Sequence, residues 1–211
     1  MNRSAFFAFI GAMLLGWSVS VGCGDDENES TDETKTSTTA LTQDETRDLL
    51  QLREEEKLAR DVYQYAYDKY SLAIFKNIGD SEQSHMDSVL RILSSYDLED
   101  PADENPGVFR NPELQSIYQE LVDKVDASEA DALIVGATVE DLDIKDIDDF
   151  LQRTSKDDVA GVYENLMCGS RNHLRSFYAQ ITKTGGSYSA AYISKDELLS
   201  IVQSGNETCG Q

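Results

Sequence analysis

The sequence predicts an all-α protein, an antiparallel four-helix bundle with a long crossover that contains a short helix. Three observations lead there. All three prolines of the 211 residues fall between positions 101 and 112, which leaves long proline-free runs on either side. Those runs space their apolar residues by three and four, the helical period. No segment of useful length alternates polar and apolar as a strand would. The length and a 40% hydrophobic content suffice for one domain with a real core. Forty Asp+Glu against 18 Lys+Arg give a net charge of −22. Such a surface repels phosphate backbones, so nucleic acid is excluded as a partner of the folded part. Three Cys and two His exclude a zinc-finger array or a disulfide-dense scaffold.

Residues 1–22 read as a secretory signal: Arg3 is followed by an apolar run too short to span a bilayer comfortably, then by small residues. Val21-Gly22-Cys23 resembles the end of a lipobox, which makes Cys23 the expected site of lipidation and the lipid anchor the expected membrane partner. Ser20 stands where Leu is usual, and the alternative is an ordinary signal peptide with a free Cys23. Gly24 after that cysteine resembles lipoproteins released to the outer membrane or cell surface; otherwise the exported chain is periplasmic. Residues 23–43 follow as an acidic tether. From 24 onward this segment has six acids, one Lys, eight Ser/Thr and no aromatic residue, too little apolar area to offset ordering entropy. Removing residues 1–22 takes away Arg3 and Trp17, leaving a net charge of −23 and no tryptophan.

The bundle is expected over 44–183. Its first helix runs from Thr42 to about Tyr70, with Leu49, Leu52, Glu56, Ala59, Tyr63, Ala66 and Tyr70 inward. The second spans Ala73 to about Tyr96 and turns Phe75, Ile78, Glu82, His85, Val89 and Ile92 to one face. A loop follows, and Asn111-Pro112 caps the short crossover helix that carries Leu114, Ile117, Tyr118, Leu121 and Val125. Ser128 with Asp131 starts the third long helix, whose stripe is Leu133, Gly136, Glu140, Asp143, Ile147 and Phe150. Ser155 with Asp158 has the same signature for the fourth, which carries Val159, Val162, Leu166, Ser170, His173 and Phe177 until Gly185-Gly186 ends it. The tail, 184–211, adds a short amphipathic helix behind Ser194 that is expected to dock on the bundle.

Six polar residues occupy places where the stripes call for apolar ones: Glu56, Glu82, His85, Glu140, Asp143 and His173. Burying one unpaired carboxylate costs several kcal/mol, and four converging carboxylates repel one another as well. No Lys lies on any stripe, and Arg60 sits one residue off the first. Two divalent cations would balance the four carboxylates, with two neutral imidazoles completing the ligands. Glu82 and His85, at i and i+3, project from one helical face in a Glu-x-x-His arrangement, and Glu140 and Asp143 share that spacing. Both histidines of the chain fall on these stripes. Oxygen and imidazole donors without thiolate point to iron or manganese. Against this stands the plain structural reading. Glu54, Glu55 and Glu56 in a row form a charged surface more often than a ligand, with only Glu56 on the stripe, and a single inward His is often just hydrogen-bonded.

Glu56-x-x-Ala59-Arg60-x-x-Tyr63 followed by Phe75-x-x-Ile78-x-x-x-Glu82-x-x-His85 resembles the first half-site of rubrerythrin-type, ferritin-like di-iron proteins. More closely, EEEKLARDVY, SEQSHMDSV, NPELQ, VEDLDIKD, ENL, SRNHLRSF and YISKDEL are similar to the uncharacterised ferritin-like family of domain of unknown function 2202, over roughly residues 44–183 and the tail. The resemblance implies a bundle with a centre of two iron (or manganese) ions and no established activity. It departs at Ser170, where the ferritin-like group carries a Glu three residues before the last His. Asp143, a water or a single-metal site would each answer that gap. Glu164 lies off the ligand face and is left out of the set.

A dinuclear iron centre is compatible with reactions of oxygen, peroxide or ferrous iron. The cysteines of a rubredoxin-like site are missing, so turnover needs an external electron donor or ferrous iron itself. Tyr63, inward on the first helix, is the candidate to hydrogen-bond a bound ligand or quench a radical, with core packing as the alternative. Cys168 and Cys209 are a candidate disulfide in an oxidising compartment. A non-catalytic surface binding or scaffold module with a degenerate metal site at Ser170 is the competing reading, and a cage-forming iron store the third. Association of two chains into a homodimer is left open by the sequence.

Overall fold

The computed structural model describes residues 40–210, so the signal segment, Cys23 and most of the tether lie outside the described residues. Those described form six helices and no strand: α1 (Gln43–Tyr70), α2 (Ala73–Ser95), α3 (Pro112–Ala127), α4 (Glu129–Leu151), α5 (Asp157–Lys183) and α6 (Lys195–Gln203). Local chemistry sets most of the ends. Thr42 opens α1 with a capping box, its hydroxyl accepting the Glu45 N–H while the Glu45 carboxylate accepts the Thr42 N–H. Ser71, in the left-handed region, closes α1. Asn111 caps α3 with Pro112 behind it, Ser128 caps α4, and Ser194 caps α6. At α5 the cap differs from the sequence reading. The helix starts from Lys156 without a side-chain cap. The Ser155 N–H donates instead to Glu45 Oε1 at 2.8 Å, joined by the Thr154 hydroxyl at 3.1 Å, so this turn is tied to the start of α1.

In the packing, α1 lies on α2 and α4 on α5, while α1–α4 and α2–α5 contacts join the pairs; α3 bridges α1 and α4, and α6 rests on α5. The buried apolar residues fall into two clusters. One contains Ala59, Tyr63, Phe75, Ile78, Leu133, Leu174 and Phe177. The other contains Leu49, Leu52, Val89, Leu93, Ile147, Phe150, Val159, Tyr163 and Leu166. Along α1, α2 and α5 the break between clusters falls at Glu56, at Glu82–His85 and at Ser170–His173, so a polar layer crosses the core between two apolar ones. Among the described residues no helix is long and apolar enough to cross a membrane.

Buried charges away from that layer hold the connections. Lys57, fully buried, donates to Asp61 Oδ2 (2.5 Å) and to the Asn105 carbonyl (3.0 Å) and lies 4.4 Å from the Phe109 ring centre. Asp61 also accepts the Gly107 N–H, which anchors the crossover loop to α1. Asp141 accepts the Tyr188 hydroxyl and the N–H groups of Ala191 and Ile193, fixing the segment before α6. Cys168 and Cys209 form a disulfide, beside which Arg171 and Arg175 grip Glu207, and the segment after α6 is thereby held on α5.

Asp141→Ala should lower the unfolding free energy by about 3 kcal/mol in a urea titration, because several donors lose their acceptor. A loss below about 1 kcal/mol would show that the 187–193 segment does not depend on it.

Candidate metal centre

The polar layer is built from one side chain of α1, two of α2, two of α4 and one of α5. Glu56, Glu82, Glu140 and Asp143 are buried, as are His85 and His173. Each sits where the helical period aims it inward, and the i, i+3 spacing puts Glu82 and His85 on one face of α2. Their ligand atoms close into two groups of three, Glu56–Glu82–His85 and Glu82–Glu140–His173, with the atoms of each group within 4.8 Å of one another. Glu82 belongs to both. His85 Nδ1 lies 2.8 Å from one Glu82 oxygen and 3.1 Å from Glu56; His173 Nδ1 lies 2.8 Å from the other Glu82 oxygen and 3.3 Å from Glu140. The two imidazoles stack with ring centres 5.5 Å apart.

Of these contacts His85 Nδ1–Glu56 Oε2 is a hydrogen bond, and those to Glu82 and Glu140 are ion-pair contacts. Both oxygens of Glu82, one each of Glu56, Glu140 and Asp143, and His173 Nδ1 are buried without a hydrogen-bond partner among the described residues. Leaving so many buried polar atoms unsatisfied costs about 1 to 3 kcal/mol each. Carboxylate and imidazole lone pairs that converge on common points are what a cation between them requires. Oxygen and imidazole donors in this number fit iron or manganese.

The electrostatics shows how the cluster is neutralised by protons alone. Burial pushes Glu56 and Glu140 up to about 7, with the negative charge of Glu82 adding to it and the neighbouring histidine opposing. Burial, then Glu56 and Glu140, holds Asp143 well above the carboxylate range. Glu82 goes the other way: burial opposes its charge, but His173 and His85 outweigh burial and keep it well below the usual range. Both imidazoles are disfavoured as cations by burial and yet raised by Glu82 and its neighbours, His173 up to about 10 and His85 well above its ordinary value.

Neighbouring residues set the shape of the site. The Tyr63 hydroxyl donates to Glu140 Oε1 at 2.5 Å, and its ring packs on Phe75 and Phe177. Ser81 Oγ lies 3.0 Å from His173 Nε2, so an Nε2–H donated to it would leave the Nδ1 lone pair facing the carboxylates. At Gly169 a Cβ would come within 2.5 Å of His85 Nε2, so only glycine admits that ring. Ser170 is buried and its hydroxyl donates to the Leu166 carbonyl, contributing no charge. Asp143 is buried among these acids but outside both groups of three. Glu164 is exposed on an unbroken α5. Glu54 and Glu55 are buried rather than on a charged surface. Ser81 and Gly169 carry no sequence signal of their own; only their helical offset from Glu82 and His173 points to them.

The family model described as "Uncharacterized protein domain (DUF2202)" matches residues 45–205. The chain belongs to the DUF2202 family. It is 49% identical over 168 residues to the uncharacterized protein MJ0754 of Methanocaldococcus jannaschii, covering 79% of this chain and 91% of that one. The crystal structure titled hypothetical protein MJ0754 from Methanococcus jannaschii DSM 2661 superposes with a TM-score of 0.79 at 47% identity, over 82% of this chain and all of the other. The DUF2202 match contains every residue of the polar layer.

In the metal-free chain, Glu56 and Glu140 keep protons that the unfolded chain releases between about 4.5 and 7, so rising pH favours unfolding across that window. The histidine contributions have the same sense at higher pH: they are complete below 6.5 and fade as pH climbs, through about 10 for His173. Glu82 loses its stabilisation only as pH falls below 4.5. Calorimetry should therefore give a higher Tm at pH 5 than at pH 8 without metal, and saturating Mn(II) should raise the pH 8 value most. A metal-free Tm that rises from pH 5 to pH 8 would contradict this.

Proposed function

We propose that this chain is a ferritin-like antiparallel four-helix bundle, with α3 in its crossover, that binds two iron or manganese ions and acts on oxygen, peroxide or ferrous iron. One observation carries the reading: Glu82 is shared by two buried carboxylate–histidine groups, with one of its oxygens 2.8 Å from each imidazole. Glu56 and His85 would hold one ion, Glu140 and His173 the other, with Glu82 between them and Asp143 in reserve. Four carboxylates and two divalent ions cancel, which removes the repulsion that protons relieve in their absence. Such a centre, when bound, supplies electrons to oxygen or peroxide.

The protein's part is to orient and to protect. Tyr63 holds Glu140 by a hydrogen bond and Ser81 fixes the His173 ring. Phe75, Phe177 and Leu174 on one side, and Leu52, Val89 and Leu166 on the other, keep water from the layer. The electrons come from an external donor or from ferrous iron, since the chain's cysteines are too few for a thiolate iron site. In the same proposal the chain is exported and anchored through a lipid on Cys23; the Cys168–Cys209 disulfide supports an oxidising compartment.

Anaerobic Fe(II) loading of the purified chain should leave about two ions bound, and oxygen or peroxide should then change the optical spectrum. His85→Ala and His173→Ala should each cut the content to about one ion or fewer. Less than about 0.2 ion per chain, unchanged by either substitution, would overturn the metal reading and favour a scaffold with a degenerate site.

A further inference from the structure

The segment after α6 is strapped across the back of the α5 stretch that serves the polar layer. Gly169 and His173 turn to that layer, whereas Cys168, Arg171, Asn172 and Arg175, spaced by three and four, fall on the opposite face of the same turns. All four hold the strap. Cys168 is bonded to Cys209. The Asn172 amide donates to the Glu207 carbonyl at 3.0 Å, and its oxygen accepts the Glu207 N–H at 2.9 Å. Arg171 and Arg175 both donate to the Glu207 carboxylate, and Arg175 donates also to the Ile201 carbonyl and the Ser204 hydroxyl at 2.8 Å each. Before α6 the chain is fixed to α4 through Asp141, and α6 buries Leu198 and Ile201. The disulfide, between cysteines 41 positions apart, therefore closes a loop that ties the second half of α5 to α4.

The two sulfurs differ in access. Cys168 is buried, whereas Cys209 is half-buried on a strap whose residues from Ser204 to Gly210 are mostly exposed. An external thiolate meets Cys209 first, with Cys168 as the leaving group. The remaining contacts to the strap are polar and partly exposed, so once the covalent bond is cut they let the strap open and reclose. They also keep the register for reclosure, because Asn172 Nδ2 lies 3.4 Å from Cys209 Sγ. On the inner side Cys168 is joined directly to Gly169, the residue whose missing Cβ admits the His85 ring. We propose that Cys168–Cys209 is a redox-active disulfide that controls ion exchange at the polar layer: a dithiol reductant opens it and loosens α5, and peroxide closes it and locks α5 around Gly169 and His173. In opening, the S–S bond becomes two thiols while the dithiol is oxidised to its own disulfide. In closing, the two thiols give two electrons and two protons to hydrogen peroxide, which leaves as two waters, and the S–S bond forms. The inference rests on the dinuclear reading of the layer and adds its control.

The test compares the oxidised chain, the reduced chain and Cys209→Ser. In the metal-free folded protein, about 10 mM dithiothreitol should open the bond, read as alkylation of Cys168 and Cys209 by peptide mass spectrometry, and one equivalent of hydrogen peroxide should restore it. Reduction should raise amide hydrogen exchange over residues 168–175 and speed the release of bound Mn(II) to excess EDTA at least about tenfold. Cys209→Ser should release Mn(II) at the fast rate with or without dithiothreitol, which separates the bond from any effect of the reductant on the metal. A bond that stays oxidised in the folded chain, or exchange and release that do not change on reduction, would overturn the switch and leave the inner site standing. A chain that binds no ion in either redox state would overturn the dinuclear reading first and the switch with it.

Discussion

Six ionisable side chains cross the centre of an apolar helical core, and their charges must cancel there. Four are carboxylates and two are imidazoles, all buried. In water each would be ionised or neutral at little cost; between two layers of leucine, phenylalanine and valine an uncompensated charge costs several kcal/mol. The fold answers with geometry. Glu82 sits between the two histidines and keeps its negative charge, while the outer acids are pushed toward neutrality. Protons can balance this arrangement, yet several of the buried carboxylate oxygens have no hydrogen-bond partner among the described residues.

That requirement explains features elsewhere in the molecule. Glycine at 169 is the space taken by the His85 ring, and a Cβ at Gly136 would collide with the Phe177 ring that closes the layer. Tyr63 joins α1 to α4 through Glu140, and Ser81 joins α2 to α5 through His173. Outside the layer, charged anchors hold the connections to the helices: Lys57 and Asp61 for the crossover, Asp141 for the segment before α6, and Cys168 with the two arginines for the one after it. Fixing the surrounding backbone at several points keeps ligand-bearing side chains from relaxing apart, which is what a site built from four helices needs.

Much of this was legible from period and punctuation. The helix ends at Thr42, Asn111, Ser128 and Ser194 follow from short-range capping chemistry, which a sequence displays directly. The polar layer was legible because apolar stripes make an intruding Glu or His conspicuous. The misses share one cause, which is burial or pairing by segments distant in the sequence. Glu54 and Glu55 look like a charged surface in the sequence, yet both are buried, and the crossover loop donates the Arg110 N–H to Glu54. Asp141 was invisible for the same reason: its partners are backbone N–H groups some fifty residues away. At Ser155 a local capping signature lost to a distant carboxylate, that of Glu45.

In the proposed centre Glu82 lies between two cations. Anomalous diffraction from crystals of the chain loaded with Mn(II) or Fe(II) tests it most directly. Two peaks are expected, one bounded by Glu56, Glu82 and His85 and the other by Glu82, Glu140 and His173. Empty density between Glu82 and the two histidines, in crystals grown with excess metal at neutral pH, would contradict it.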